Sequence, residues 1–378
     1  MRILFLTPER PHPARGGGTI KSSTVLEYLG SRHEVDLMYL RSSDQAVPAR
    51  TAGNLLRSYA ARVPLSILRN RNPGFAGLVR DRVADSSFDA IFVDGWLMAQ
   101  YVPAGFAWVK VLHQHNAEFV MWEREAALET RPLRRALVRR EAGRVRRYEA
   151  SILQGFDVIL AVSEPDREAL RSLGGAGKPI ELLPNVAEPD LLQRPALSPE
   201  GTEPVILYLG TLSWPPNARG LHHFLRHTFP RVRERLPDVR VVVAGRGAPS
   251  DLVRLGSGLG VEMVGAVDDP EPLYGRARAF VEVTSGGSGT RVKVLNALAR
   301  GLPVVTTTDG AEGLAVRSGE DVLTGSSPQE LVDSLIRVMT DAAMWSKLSK
   351  NGRRLVRERY TPEAAYGVLN EVFGPNRT

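Results

Sequence analysis

From Ala279 to Thr307 the chain reads AFVEVTSGGSGTRVKVLNALARGLPVVTT. An apolar, β-branched run (Ala279 to Val283) gives way to a stretch of small residues. A helical segment ending near Arg300 follows, and then a second short run from Pro303 to Thr306. Strand, loop, helix and strand in this order predict parallel strands joined by a crossover helix.

The same alternation extends in both directions. Towards the N-terminus lie runs at Val205–Leu209, Val239–Ala244 and Val261–Val264, and before them Ile3–Leu6, Glu34–Tyr39, Ala90–Val93, Lys110–His113 and Val158–Val162. Helices are expected over Pro328–Met339, Asp341–Arg359 and Pro362–Phe373. The stretch Ala187 to Glu203, rich in Pro, Glu and Leu and without periodicity, predicts a linker. The expected organisation is one α/β domain over residues 1–186, a linker over 187–203 and a second α/β domain over 204–359. A terminal helix over 360–374 is expected to pack back on the first domain.

Composition narrows the chemistry. The 378 residues are 43% hydrophobic and 24% charged, the range of ordinary globular protein. Lys and Arg number 49 against 42 Asp and Glu, and the net charge of +7 favours anionic partners without choosing among them. No cysteine is present, which excludes disulfides, thiolate metal sites and cysteine nucleophiles. The opening MRILFLTPERP reads as a buried strand rather than a signal peptide, and no apolar run is long enough to span a bilayer. A soluble cytoplasmic location is expected.

One charge cluster stands out, RPLRRALVRREAGRVRR from Arg131 to Arg147. Leu133, Leu137, Val138 and Val145 fall at helical spacing, so the expected structure is a surface helix with its apolar side packed and its basic face solvated. Contact with a membrane surface or nucleic acid is the alternative. The scarcity of aromatics among the arginines argues against base stacking, and no nucleic-acid partner is expected.

Three stretches carry candidate chemistry. Gly16, Gly17 and Gly18 follow the first strand and precede a helix expected near Ile20. The N–H groups at such a helix start suit an anion, although neither a P-loop nor GxGxxG is present. Between Ser285 and Asn296, small residues open a helix in which Arg291 and Lys293 sit in the first turns. Cations there oppose the helix dipole, a cost that a bound anion would relieve. His113-Gln-His115-Asn116-Ala-Glu118 lies at the carboxyl end of a predicted strand, where open α/β sheets bind ligands. A metal at the two histidines would need a third ligand, none is apparent nearby, and no metal is expected.

At these residues the chain resembles retaining glycosyltransferases of family 4, the glycosyl transferases group 1, whose GT-B fold comprises two Rossmann-like domains with parallel sheets facing across a cleft. The resemblance runs from Met1 to about Phe373. Its first half rests on Gly17-Gly18-Thr19-Ile20-Lys21, His115-Asn116-x-Glu118, Arg147-Tyr148-Glu149, Ser163-Glu164-x-Asp166 and Pro184-Asn185. The second half adds Gly210-Thr211, Pro216-Asn217, Ala244-Gly245-Arg246-Gly247, Gly265-x-Val267-Asp268-Asp269, Gly289-Thr290-Arg291-x-Lys293 and Gly301-x-Pro303 in the family's order.

The resemblance implies a transferase that moves a sugar from a nucleotide diphosphate sugar to a glycan, lipid-linked or small-molecule acceptor, without a metal or other cofactor. Gly210, Thr211, Arg219, Arg291 and Lys293 would meet the pyrophosphate. Arg246, Gly265 and Asn296 would lie near base and ribose, and Gly289 and Thr290 belong to the same donor loop. Gly17 and Gly18 would complete the donor site, His115 would touch the transferred sugar, and Lys21, Asn116 and Glu118 would face the acceptor. Peripheral contact with the inner membrane face is compatible with a lipid-linked acceptor. Two positions depart from the family pattern: Asn296 and Ser288 stand where many members carry Glu. The loss of charge at Asn296 weakens the expected grip on ribose, because charge-assisted hydrogen bonds are about twice as strong as neutral ones. A degenerate relative that binds nucleotide sugar or a partner without turnover is the alternative, and an epimerase on the same fold is a more distant one.

Overall fold

The computed structural model describes residues 1–12, 17–42, 48, 51–174, 177–286 and 291–374. The chain divides into two compact units, Met1–Pro184 with Tyr366–Thr378, and Asn185–Ala365.

The first unit is built on β1 (Arg2–Glu9), β2 (Glu34–Arg41), β3 (Ala90–Asp94), β4 (Val109–Gln114), β5 (Val158–Ala161) and β6 (Ile180–Leu182). They form one sheet in the order β2-β1-β3-β4-β5-β6, and every pairing is parallel. All residues of β3 and β5 are buried, as expected of strands covered by helices on both faces. The order reverses between β1 and β3, which opens a crevice at their carboxyl ends.

The second unit contains β7 (Val205–Leu209), β8 (Arg240–Ala244), β9 (Glu262–Gly265), β10 (Ala279–Glu282), β11 (Val304–Thr307) and β12 (Leu323–Gly325). Their order is β12-β11-β10-β7-β8-β9, again parallel throughout, with the reversal between β10 and β7. Alternation along β7 sorts its side chains into two cores. Ile206 and Tyr208 join one face, while Val205, Leu207 and Leu209 join the other. In the stretch quoted first, the helix is Val292–Arg300, and it stops at Gly301, whose φ of 83° is the left-handed conformation glycine adopts without strain. Pro303 two residues on prevents the helix from resuming.

Three expectations change. Ala187 to Glu203, expected as a linker, lies within the second unit: Ala187 and Leu191 are core residues there, and the Ala187 N–H donates to the Tyr360 carbonyl at 2.9 Å. The terminal helix is two short ones, Pro362–Ala365 in the second unit and Gly367–Val372 in the first. Leu133 and Leu137, expected on the packed side of the arginine-rich helix, are 84% and 59% exposed, because the first turns of that helix (Pro132–Leu153) find no core to pack on.

Candidate functional site

In the first unit the chemistry gathers at the β1/β3 reversal around a residue the sequence reading did not single out. Asp94 ends β3 and is fully buried. One carboxylate oxygen faces His113 Nδ1 at 2.8 Å and His115 Nε2 at 2.7 Å. The other accepts from Thr7 of β1 at 3.2 Å and from Ser22 of the helix Gly17–Gly30. Burial alone would raise this carboxyl, but the His115 charge and the hydrogen bonds from both histidines hold it well below the usual carboxylate range. An ionised carboxylate only accepts, so both ring nitrogens that face it carry protons.

The neighbours are poised by the same burial. His113 is pushed down to about 3 by burial and by the Lys21 charge, so it is neutral at ordinary pH. Lys21, 4% exposed, is lowered to about 7 by burial against the opposing charges of Asp94 and Asp166, and its ammonium donates to the Leu183 carbonyl at 2.8 Å. Lys21, expected to face an acceptor, is therefore packed inside the unit. Glu118 is raised to about 7 by burial, with an Asn116 hydrogen bond opposing and Asp166 adding to the rise. Its backbone N–H and that of Phe119 donate to Glu149, a fully buried carboxyl raised to about 8 by burial and by the Glu118 charge. His115 keeps 24% of its side chain exposed and is the accessible member of the cluster.

Asp94 also supplies the third ligand that the sequence lacked. One ligand atom from each of Asp94, His113 and His115 falls within 4.8 Å of the others, a two-histidine, one-carboxylate set. In the hydrogen-bonded arrangement the ring nitrogens that face Asp94 are donors, so a cation would meet each neutral ring at its other nitrogen, or at this one after its proton has moved. The only sequence sign of Asp94 was an acid closing the apolar run Ala-Ile-Phe-Val, a position that ligands visit in parallel sheets.

In the second unit the reversal between β10 and β7 carries fixed charge. The Lys293 ammonium pairs with the fully buried Glu282 at the end of β10 at 2.6 Å. It also donates to Asn217 Oδ1 at 3.1 Å and Thr284 Oγ1 at 3.2 Å, and lies 4.7 Å from the Tyr208 ring centroid on β7. Burial lowers the Lys293 pKa while Glu282 opposes the change. The dipole cost expected to call for a bound anion is thus already met in part by an internal carboxylate. Arg291 is the N-cap residue of the helix and is buried. Arg219 lines a cavity of about 560 Å³ together with Gly220, Thr284, Ser285, Thr308 and Ser326, so Thr284 connects the Arg219 cavity to the Lys293 cluster. Gly220 is fixed by contact: a Cβ there would stand 1.7 Å from the Val283 carbonyl oxygen, so the helix Pro215–His227 lies directly on the backbone leaving β10.

The remaining residues fall as follows. Gly210, Arg246 and Gly265 meet at the ends of β7, β8 and β9 through backbone bonds: Gly210 N–H to Ala244 O at 3.1 Å, Leu212 N–H to Arg246 O at 2.9 Å and Gly245 N–H to Gly265 O at 2.6 Å. The Gly210 N–H, expected to meet a phosphate, is engaged by this extension of the sheet. Thr211 accepts the Asn217 side-chain amide on its carbonyl at 2.9 Å. Asn296 is buried; its Oδ1 accepts the Glu188 N–H at 3.0 Å and its Nδ2 donates to Glu188 Oε1 at 2.7 Å. A carboxylate is thereby present beside Asn296, supplied by Glu188. Asp269 accepts the Glu271 N–H at 2.9 Å, in keeping with a turn. Gly17 opens the helix Gly17–Gly30, and a Cβ on Gly18 would meet nothing within 4 Å, so packing does not demand glycine there. Gly289, Thr290 and Ser288 lie outside the described residues.

Two family models match the chain, glycosyltransferase family 4 over residues 16–191 and glycosyl transferases group 1 over residues 203–341. Sucrose-phosphate synthase from Thermosynechococcus elongatus shares 18% identity with a TM-score of 0.72, covering 99% of this chain and 98% of that one. Anabaena HepE in complex with UDP shares 15% identity with a TM-score of 0.68 over 98% and 99% of the two chains. At these identities the likeness establishes the fold. An uncharacterized 44.6 kDa protein in the cps region of Klebsiella pneumoniae is 23% identical over 179 residues, 45% of each chain. The chain spans less than half the length of the curated relatives it matches.

Proposed function

This chain belongs to the glycosyltransferases of family 4 with the GT-B fold, and from that premise we propose that it transfers a sugar from a nucleotide diphosphate sugar to a hydroxyl of a glycan, lipid-linked or small-molecule acceptor, with retention at the anomeric carbon. The observation that carries the reading is the gathering of Arg219, Arg291 and Lys293 in one unit, at the carboxyl ends of the strands flanking a sheet reversal. As the bond from the anomeric carbon to the phosphate oxygen breaks, the departing diphosphate gains negative charge. Preorganised cations stabilise that charge more than the ground state, which lowers the barrier.

Lys293 arrives at this task already oriented by Glu282, Asn217 and Thr284. Glu188, held by Asn296, would offer a carboxylate to ribose hydroxyls, and Arg246 and Gly265 would border the base. In the first unit His115, locked by Asp94, would hydrogen-bond the transferred sugar, and Glu118 would face the acceptor. Retention would follow from attack on the face the diphosphate leaves, so no side-chain nucleophile is required. The reaction as read uses no metal, and transfer is expected to be unchanged after treatment with a chelator.

UDP-sugars are the first donors to test, because HepE, which shares the fold, is known in complex with UDP. Purified protein incubated with UDP-, GDP- and dTDP-sugars and candidate acceptors should release nucleoside diphosphate, and NMR of the product should show the donor's anomeric configuration. Binding of a nucleotide without release across the panel would instead support a binding protein, a reading favoured by the engagement of both polar ends of the Asn296 amide by Glu188.

A further inference from the structure

The helix Pro132–Leu153 is anchored only along its second half. Glu141 accepts the Leu65 N–H at 2.6 Å and pairs with Arg144 at 2.6 Å, Arg144 reaches Ser58 at 3.0 Å, and Ala142, Val145, Glu149 and Leu153 are buried. The half before Glu141 stands out from the unit: every residue from Arg131 to Arg140 is exposed except Val138, which is partly buried.

Its composition is not that of a merely solvated half-helix. Leu133 is 84% exposed and Leu137 59%, and a spacing of four residues puts them on the same face. Leu128 just before the helix is 46% exposed, and Leu56 is 71% exposed on the helix Ala52–Ala60, whose Tyr59 lies under Arg140 and Arg144. Around these leucines stand Arg131, Arg134, Arg135, Arg139 and Arg140, with no acidic residue between Arg131 and Arg140. Arg134 pairs with Glu129; among the described residues no carboxylate forms an ion pair with Arg135, Arg139, Arg140 or Arg147. No helix among the described residues is long and apolar enough to cross a membrane.

We propose that this projecting half-helix docks on the surface of a bilayer rich in anionic lipid, its arginines at the headgroups and Leu133 and Leu137 inserted among the upper acyl chains. A helix with arginines beside unpartnered leucines lies in the interface with its apolar side a few ångströms deep, and each basic residue adds attraction to anionic headgroups. Two other occupants fit less well. A second copy of the chain would bring two arginine runs of the same sign together, and a nucleic acid would use the arginines but leave the leucines in water. The inference does not depend on the sugar-transfer reading.

The test is sedimentation of the full chain with vesicles of phosphatidylcholine alone and of phosphatidylcholine with phosphatidylglycerol, at low and high salt. The protein should sediment with the mixed vesicles, much less with the neutral ones, and less at high salt. Arg135→Gln with Arg139→Gln should lower the partition coefficient by about five-fold per residue, the ratio corresponding to about 1 kcal/mol. Leu133→Ser with Leu137→Ser should lower it about ten-fold or more at the same salt, since each exposed leucine contributes buried apolar area only in the bound state. Because these side chains are exposed, the melting transitions of both variants should match the parent, which separates loss of docking from loss of fold. Failure of the parent chain to sediment with anionic vesicles overturns the proposal. So does a leucine pair whose replacement leaves partition unchanged, which would indicate simple charge attraction, or self-association abolished by the serine variants, which would indicate a second copy.

Discussion

The two sheets share a topology and differ in what they hold at its weak point. Each is six parallel strands with one reversal of order. At the reversal in the first unit, a buried carboxylate organises two histidines, with Lys21, Glu118 and Glu149 shifted to about 7, 7 and 8. At the reversal in the second, the groups are Arg219, Arg291 and Lys293, and Lys293 pairs with the internal carboxylate of Glu282. The backbone thus specifies where a site opens, while the side chains at strand ends specify whether it exchanges protons or holds charge. On the reading proposed above, the first edge would meet the hydroxyls of a sugar and the second a diphosphate.

Replacing Lys293 should expose that difference most strongly. Lys293→Met is expected to reduce turnover about 10²- to 10³-fold, the scale of removing one preorganised transition-state contact. It also leaves Glu282 buried without its partner, a defect of about 3–5 kcal/mol. The double variant Glu282→Gln, Lys293→Met should recover most of the melting temperature and none of the turnover. Recovery of both would mean that the lysine serves only the fold.

On the other edge, Asp94→Asn keeps the shape but places an amide nitrogen where one oxygen faced two of the four donors, and it removes the charge that both histidines face. Loss of histidine orientation should lower kcat about 10²-fold while leaving unchanged the Kd for nucleoside diphosphate, which the proposed function assigns to the other unit. Calorimetric titration checks this, and an equal loss of nucleotide affinity would undo the division of labour.

Gly220→Ala tests how closely the Arg219 helix is seated. The added methyl group collides with the Val283 carbonyl, so a loss of about 1–3 kcal/mol and weaker nucleotide binding are expected. Unfolding followed with probes in each unit should place the loss in the second.

The last test reads a pH dependence rather than a turnover, and it concerns Lys21. Its folded pKa of about 7 lies below the ordinary 10.5, so the unfolded chain binds more protons between those values and stability from this group is lost as pH falls from 10.5 through 7. Lys21→Met removes the dependence. The melting-temperature difference, variant minus parent, should therefore move in favour of the variant over that interval and level off below pH 7. A difference that is flat across the interval would show that Lys21 stays charged in the folded chain.

Much of this was legible in the chain. All strands except β6 and β12 were expected, and those two have three residues each and sit at sheet edges, too short for a periodic signal. Arg291 and Lys293 were marked by a glycine-rich loop and a helix start, which are local features, and Arg219 by the family resemblance. Asp94 and Glu282 were not marked, because a single acid at the end of an apolar run has no local signature. What makes them part of a site is the His115 or Lys293 that another element brings against them.

The sequence by itself determined the parallel α/β architecture, because alternating runs and helical spacing are properties of neighbours in the chain. It also determined the family, because ordered short motifs survive where overall identity is low. Only tertiary structure decided which charges are compensated. The Lys293 cation meets Glu282, Asn296 is held by Glu188, and the arginine-rich helix leaves Leu133 and Leu137 without a core. Compensation depends on distance and burial, and the residues concerned are separated in sequence by up to 108 positions.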